Sequence, residues 1–147
     1  MTTLQEAVKL AEADRGLAVV ATLRADASIQ STLVNTGIIS HPETGESVLA
    51  FVSAGKVRQA NLRARPQITA TFRRGWHYAT VEGYAEIAGP DDPRSWLDAE
   101  RSRLLLREIF IAAGGSHDNW GDYDHTMLTE RRAAILIRPT RIYAVGP

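Results

Sequence analysis

Apolar positions recur along the chain in two rhythms. Leu4, Val8 and Ala11 fall at helical spacing behind Thr3-Leu4-Gln5-Glu6, which has the capping-box spacing. A short amphipathic helix is therefore expected over 3–13, ended by Arg15-Gly16. The run Leu17-Ala18-Val19-Val20-Ala21-Thr22-Leu23 is rich in β-branched residues and bounded by turn residues, the pattern of a buried strand. After a turn at Ala25-Asp26-Ala27, one partly alternating strand is expected over 28–40, with Thr32, Val34 and Thr36 on one side and Leu33 and Asn35 on the other. His41-Pro42-Glu43-Thr44-Gly45 is a turn. The strand at 46–53 is apolar on both sides, Val48, Ala50 and Val52 against Leu49 and Phe51, as in a barrel wall lying under a helix.

Ala54-Gly55 breaks that strand, and Val57, Ala60 and Ala64 mark a helix over 56–65 that Pro66 stops. Strands at 67–73 and 76–88 pair back through Arg74-Gly75. A Gly89-to-Pro93 loop leads to a long helix over 95–113, with Trp96, Leu97, Leu104, Leu105 and Ile109 among its apolar positions. A short helix over 119–130 follows, then strands at 133–138 and 141–145 separated by Pro139. The order lacks regular βαβα alternation, which excludes a doubly wound sheet. Hairpin-linked strands with two apolar faces favour a small antiparallel barrel, mainly β with peripheral helices. Residues 1–147 read as a single domain.

Composition narrows the chemistry. The formal net charge is zero, so no global field draws the protein to nucleic acid or to an anionic membrane, and any anion site must be local. The absence of cysteine excludes disulfides, thiolate metal sites and cysteine nucleophiles. The N-terminal stretch carries Glu6, Glu12 and Asp14 and has no apolar core of a signal peptide, and no apolar run reaches membrane-spanning length. A cytoplasmic, soluble protein is expected. No His pair has metal spacing, and no nucleophile elbow, phosphate-binding P-loop or dinucleotide fingerprint occurs.

The most informative stretch is Val52-Ser53-Ala54-Gly55-Lys56-Val57-Arg58-Gln59-Ala60-Asn61-Leu62, where a strand ends and a helix begins. Two cations, Lys56 and Arg58, stand at the positive end of the helix dipole, which disfavours them by roughly a few tenths of a kcal/mol each. An anion reverses that sign, because free N–H groups, ammonium and guanidinium then converge on it. A solvated basic helix start without a ligand fits the same spacing. Trp76 and Tyr78, two residues apart on one strand face, could flank a planar ring or serve ordinary packing at a core or subunit contact. The block from His117 to Arg132 is either a surface helix or a subunit contact.

Lys56-x-Arg58-x-x-Asn61-Leu62 with Pro66 after it, Gly75-Trp76-x-Tyr78 leading into Val81-Glu82-Gly83-x-Ala85, and Trp120-x-Asp122-Tyr123 with Thr129-Glu130-Arg131-Arg132 carry a resemblance over most of the chain. The sequence resembles the split-barrel flavin and deazaflavin oxidoreductases related to pyridoxamine 5′-phosphate oxidase, in particular the F420-dependent branch abundant in actinobacteria. The second strand opens Ala27-Ser28-Ile29-Gln30, in place of the Gly-x-Pro hairpin common in relatives.

The resemblance implies an FMN-binding type of split antiparallel β-barrel, working as a homodimer with two cofactor grooves at the subunit interface. The cofactor would be coenzyme F420, with FMN as the alternative, and no metal. Lys56, Arg58 and Asn61 would hold its phosphate and acidic tail. Thr32, Val34, Asn35, Val52 and Ser53 would line the ring system, and Trp76 and Tyr78 would approach from the partner or the groove edge. Both cationic side chains would be exposed without ligand. The implied activity is reduction of an electron-poor small molecule by the reduced deazaflavin. A non-catalytic F420 carrier and haem binding through His41, His77, His117 or His125 are the competing readings, and no catalytic residue is identified.

Overall fold

A computed structural model of the protein describes residues 2–146. Helix α1 (Leu4–Lys9) begins at a complete capping box, the Thr3 hydroxyl accepting from Glu6 N–H while Glu6 reaches back to Thr3. It is shorter than expected. A 3-10 turn over Glu12–Asp14 takes the place of its last residues, and left-handed Arg15 and Gly16 reverse the chain, with Gly16 N–H bonded to the Ala11 carbonyl.

Seven strands follow in one antiparallel sheet: β1 (Leu17–Leu23), β2 (Ile29–Asn35), β3 (Gly37–Ser40), β4 (Ser47–Ser53), β5 (Gln67–Arg74), β6 (His77–Ala88) and β7 (Ala133–Val145). Their order is β2-β1-β5-β6-β7-β4-β3. The single strand expected over 28–40 is thus two strands at opposite ends of the sheet. The corner between them is Thr36, 1% exposed, whose N–H and hydroxyl both bond the Gly16 carbonyl, at 3.0 and 2.7 Å. The two C-terminal strands, conversely, are one. Pro139 is tolerated because it pairs with Gly83 at a register shift, where Thr140 is the extra residue and a Cβ on Gly83 would meet the Arg138 carbonyl oxygen at 2.3 Å.

The two apolar sides of β4 serve two cores. Leu49 and Phe51 join Val20, Ile68, Phe72, Val81, Ile135 and α1 inside the barrel. Val48 and Ala50 face outward and are covered by α3 (Ala99–Ala112) and α4 (Trp120–Thr129), through Leu105, Leu106, Ile109, Tyr123 and Met127. Helix α3 starts four residues later than its apolar spacing indicates. Asp98 caps it at 2.8 Å to Arg101 N–H, and the residues before it form a turn with an Arg94–Leu97 bridge. At Gly37 a Cβ would collide with the backbone of Ala112, so the glycine lets α3 lie directly on β3. Among the described residues no helix is long and apolar enough to cross a membrane.

Candidate functional site

Helix α2 (Lys56–Ala64) leaves the end of β4 through Ala54-Gly55 and starts without a side-chain cap. Arg58 folds back over that start. Its Nη1 donates to Thr32 Oγ1 on β2 at 2.9 Å and its Nη2 to Ser53 Oγ on β4 at 3.2 Å, while its guanidinium lies 5.3 Å from the Phe51 ring centre. Gly55 makes room for this, since a Cβ there would meet Nη2 at 2.8 Å. Because β2 and β4 belong to opposite ends of the sheet, Arg58 bridges the opening of the barrel.

Arg58 is 8% exposed, which corrects the expectation that both cations stand free in solvent; only Lys56 does. Among the described residues no carboxylate pairs with Arg58, and its Nε is buried without a hydrogen-bond partner. Burial accordingly pulls its guanidinium below the usual value. A buried cation without a counter-ion costs stability, and an orphaned buried donor adds to that cost.

Arg58 lies on the wall of a cavity of about 340 Å³, at the lower end of the roughly 300–1,000 Å³ typical of small-molecule sites. Val34 and Asn35 of β2 and Val52 of β4 form one side. Thr32 and Ser53 stand behind Arg58 as its acceptors. Ser53 is fully buried and also accepts from Gly55 N–H and the Gln59 amide. Asn61 is not on the wall. Its amide nitrogen donates to Thr22 Oγ1 at 3.1 Å and Gln30 Oε1 at 3.3 Å, so it fastens α2 to the barrel strands. Lys56 is exposed beside Asp91, whose carboxyl is held below its usual range first by the hydrogen bond from Arg131 and then by the charges of Arg131, Lys56 and Arg63.

Trp76 and Tyr78 are also absent from this wall. Trp76 belongs to the β5–β6 turn rather than to the strand expected to begin there, and is 94% exposed. Tyr78 lies on the outer sheet face opposite Arg73 and Val145. His41 is engaged at both ring nitrogens, Nε2 with Glu86 at 2.7 Å and Nδ1 accepting from Glu43 N–H, which leaves neither for a haem iron. Among the described residues no His/Asp/Glu group has metal-binding geometry.

The opposite side of the cavity was not read from the sequence. Ile109, Phe110 and Ala113 reach it from the end of α3, and Arg132 from the residue before β7. The spacing of Leu105, Ile109 and Ala113 marks one face of a helix, but not what that face meets. Phe110 is held in place by Trp120 and Tyr123 of α4, with ring centres 6.1 and 5.0 Å away. Tyr123 is itself anchored by donating to the Leu106 carbonyl at 2.9 Å, and burial pushes its phenol up to about 12. Arg132 is paired with Glu130 at 2.8 Å. The cavity thus presents one unneutralised buried cation, one paired cation and a mixed lining, more polar than apolar, in which Val34, Val52, Ile109 and Phe110 are among the large apolar members, an arrangement suited to a ligand with an anionic end.

No family model matches the chain. Solved structures do. A structure described as an F420 reductase superposes with a TM-score of 0.58 at 19% identity, over 86% of this chain and 88% of that one. A protein related to general stress protein 26, of the pyridoxinephosphate oxidase family, from Clostridium acetobutylicum gives 0.61 at 14% identity, over 97% and 87%. An FAD-binding protein from Mesorhizobium loti gives 0.60 at 12% identity, over 97% and 94%. At such identities the likeness is one of fold, and the seven-stranded antiparallel sheet with its peripheral helices is a split barrel of the pyridoxamine 5′-phosphate oxidase type.

Proposed function

We propose that the chain binds a flavin-type cofactor in the Arg58 cavity, coenzyme F420 first and FMN as the alternative, and works as a homodimeric, cytoplasmic reductase of an electron-poor small molecule. The observation that carries this reading is the Arg58 guanidinium, buried on the cavity wall with no carboxylate partner among the described residues and one unbonded donor. An anionic group on a ligand supplies what the fold withholds. The occurrence of an F420 reductase and an FAD-binding protein among the structural neighbours supports the cofactor class.

In this reading Arg58 takes the cofactor's phosphate, with Thr32 and Ser53 fixing its two Nη atoms. Lys56, exposed at the start of the same helix, meets the acidic tail, and Asn61 holds the helix that carries both cations. Val34, Asn35 and Val52 line one side of the bound molecule, and Ile109 and Phe110 exclude water on the other. The cofactor, when bound, supplies the hydride chemistry, while the protein contributes position and electrostatics.

The homodimer is supported by the uncovered side of the sheet. The register aligns Leu33, Val19, Thr71, Thr80 and Tyr143 in one row across five strands, flanked by Leu17, Ile29, Tyr78, Tyr84 and Val145, all outward and at least one-third exposed among the apolar members. An apolar face of this kind marks an association surface. Leu33 belongs both to this face and to the cavity wall, so a second copy seated here adjoins the cofactor. Trp76 and Tyr78 then serve the partner's groove edge.

One observation favours a carrier without catalysis: among the described residues no carboxylate, histidine, tyrosine or lysine stands on the cavity wall to donate a proton. The test is fluorescence polarisation of oxidised F420 titrated with protein, beside FMN. Micromolar or tighter F420 binding is expected. Binding of FMN alone moves the assignment to an FMN oxidoreductase, and binding of neither overturns the reading. Oxidation of reduced F420 by nitroaromatic or enone acceptors then separates a reductase from a carrier.

A further inference from the structure

A second and larger cavity, about 590 Å³, lies between the 89–98 loop, the first half of α3 and the end of α4. It shares only Arg132 with the Arg58 cavity and contains no residue of the uncovered sheet face. Leu97, Leu106 and Met127 give it an apolar interior, and Pro90 and Leu128, both exposed, form its edge.

The walls are tied down. Arg63 holds Asp92 with two hydrogen bonds of 2.8 and 2.7 Å, Arg131 pairs with Asp91, and Arg94 donates to the Ile87 carbonyl at 2.8 Å. Bridges Gly89–Asp92 and Arg94–Leu97 brace the loop from within. The cavity is therefore built by the fold rather than left by a loose loop.

Its charges are already satisfied. Arg103 bonds Glu100 and also Asp124, the latter at 3.2 Å; Arg132 bonds Glu130; Asp98 caps α3. A charged occupant finds no unpaired charge among these groups, and entering the apolar interior without a partner is costly. Ser102, half-buried, and His125, exposed, in contrast have side chains free of these pairs, and both line the cavity.

We propose that this cavity is a binding site for a small, uncharged, mainly apolar molecule carrying a hydrogen-bonding group that meets Ser102 or His125. Charge complementarity selects the class: the interior is apolar, and the ion pairs at the rim are closed among themselves. The volume lies within the range of sites for drug-sized ligands, roughly 300–1,000 Å³.

Nile red, a neutral apolar dye, is the probe. The expected result is saturable binding of one dye per chain with blue-shifted emission. Ala99→Trp, which places an indole from the exposed first turn of α3 into the cavity, and Leu128→Asp, which puts a charge at an exposed position on its edge, should each weaken binding at least tenfold. Both positions are exposed, so folding is retained, and circular dichroism verifies it. Val19→Glu, on the sheet face, should leave the dye bound. The proposal is overturned if no dye binds, if Val19→Glu rather than the two cavity variants abolishes binding, or if Leu128→Asp halves the mass of the particle, which would make the cavity an interface between copies.

Discussion

Arg58 and Thr32, twenty-six positions apart, meet across the opening of the barrel at 2.9 Å, and the guanidinium that spans this gap has no acidic partner among the described residues. Two effects oppose each other there. Each hydrogen bond contributes about 0.5–1.5 kcal/mol net, or up to about 3 kcal/mol where the donor is charged, whereas an unpaired buried charge costs several kcal/mol. With two such bonds from Arg58, the opposing effects are of similar size. Arg58→Met, which keeps the length and packing over Phe51 without the charge, should therefore leave the ligand-free protein about as stable as its parent. It should also lose roughly 1.5–3 kcal/mol of cofactor affinity, the worth of a charge-assisted hydrogen bond. Thermal unfolding without ligand and F420 titration check the two halves. A Met variant that melts much earlier yet binds F420 as the parent does would show that Arg58 only stitches the barrel.

Asn61 makes the converse case. Its amide joins Thr22, 3% exposed, to Gln30, and removing it leaves buried polar atoms short of a partner. Asn61→Ala should destabilise the protein by about 1–3 kcal/mol, the usual cost of such an orphan. Any loss of cofactor affinity should follow from a misplaced α2. Denaturant unfolding reads the first effect. If stability is unchanged while F420 binding collapses, Asn61 touches the ligand directly.

These two residues show how far the sequence carries. The basic-x-basic-x-x-Asn-Leu pattern locates the helix start, and the helix does start at Lys56. It does not separate Arg58, turned inward over Gly55, from Lys56, left in solvent, because that depends on the space a missing Cβ opens. The capping box, β1 and the two-sided burial of β4 were all legible, since each is a local pattern. The break at Thr36 was not. Its cause is a hydrogen bond to Gly16, twenty residues away, and a run of alternating residues looks the same whether or not the chain changes its position in the sheet. The α3 side of the cavity was hidden for the same reason: periodicity shows that Ile109 faces something, and only the tertiary fold shows that Phe110 and Arg132 share the space with Arg58.

Val19 is the second member of the uncovered row, between Leu33 and Thr71, and is 44% exposed. Val19→Arg places a charge where a second copy should seat, with little effect on the folded single chain because the side chain points away from the barrel core. Light scattering after size exclusion should report a dimer for the parent and a monomer, or a concentration-dependent mixture, for the variant. F420 affinity should fall with dimer content, since Leu33 links the face to the cavity. A parent that is monomeric at all concentrations removes the partner from the site.

Asp124 gives the pH dependence. Its carboxyl is held below the usual range first by the hydrogen bond from Arg107 and also by that from Arg103, and these bonds pin α4 to α3, with Arg107 5.2 Å from the Trp120 ring centre. A carboxyl whose folded value is depressed stabilises the fold fully above its unfolded pKa, about 3.9, and loses that contribution as the pH falls through the lower folded value. Asp124→Asn removes the titrating group while Glu100 keeps its own pair with Arg103. The parent should therefore exceed Asp124→Asn in stability by a constant margin above about pH 5, and the margin should shrink as the pH drops below about 4. Denaturant midpoints measured across this range test it. A margin that persists unchanged to the acid limit would mean that Asp124 acts through packing alone.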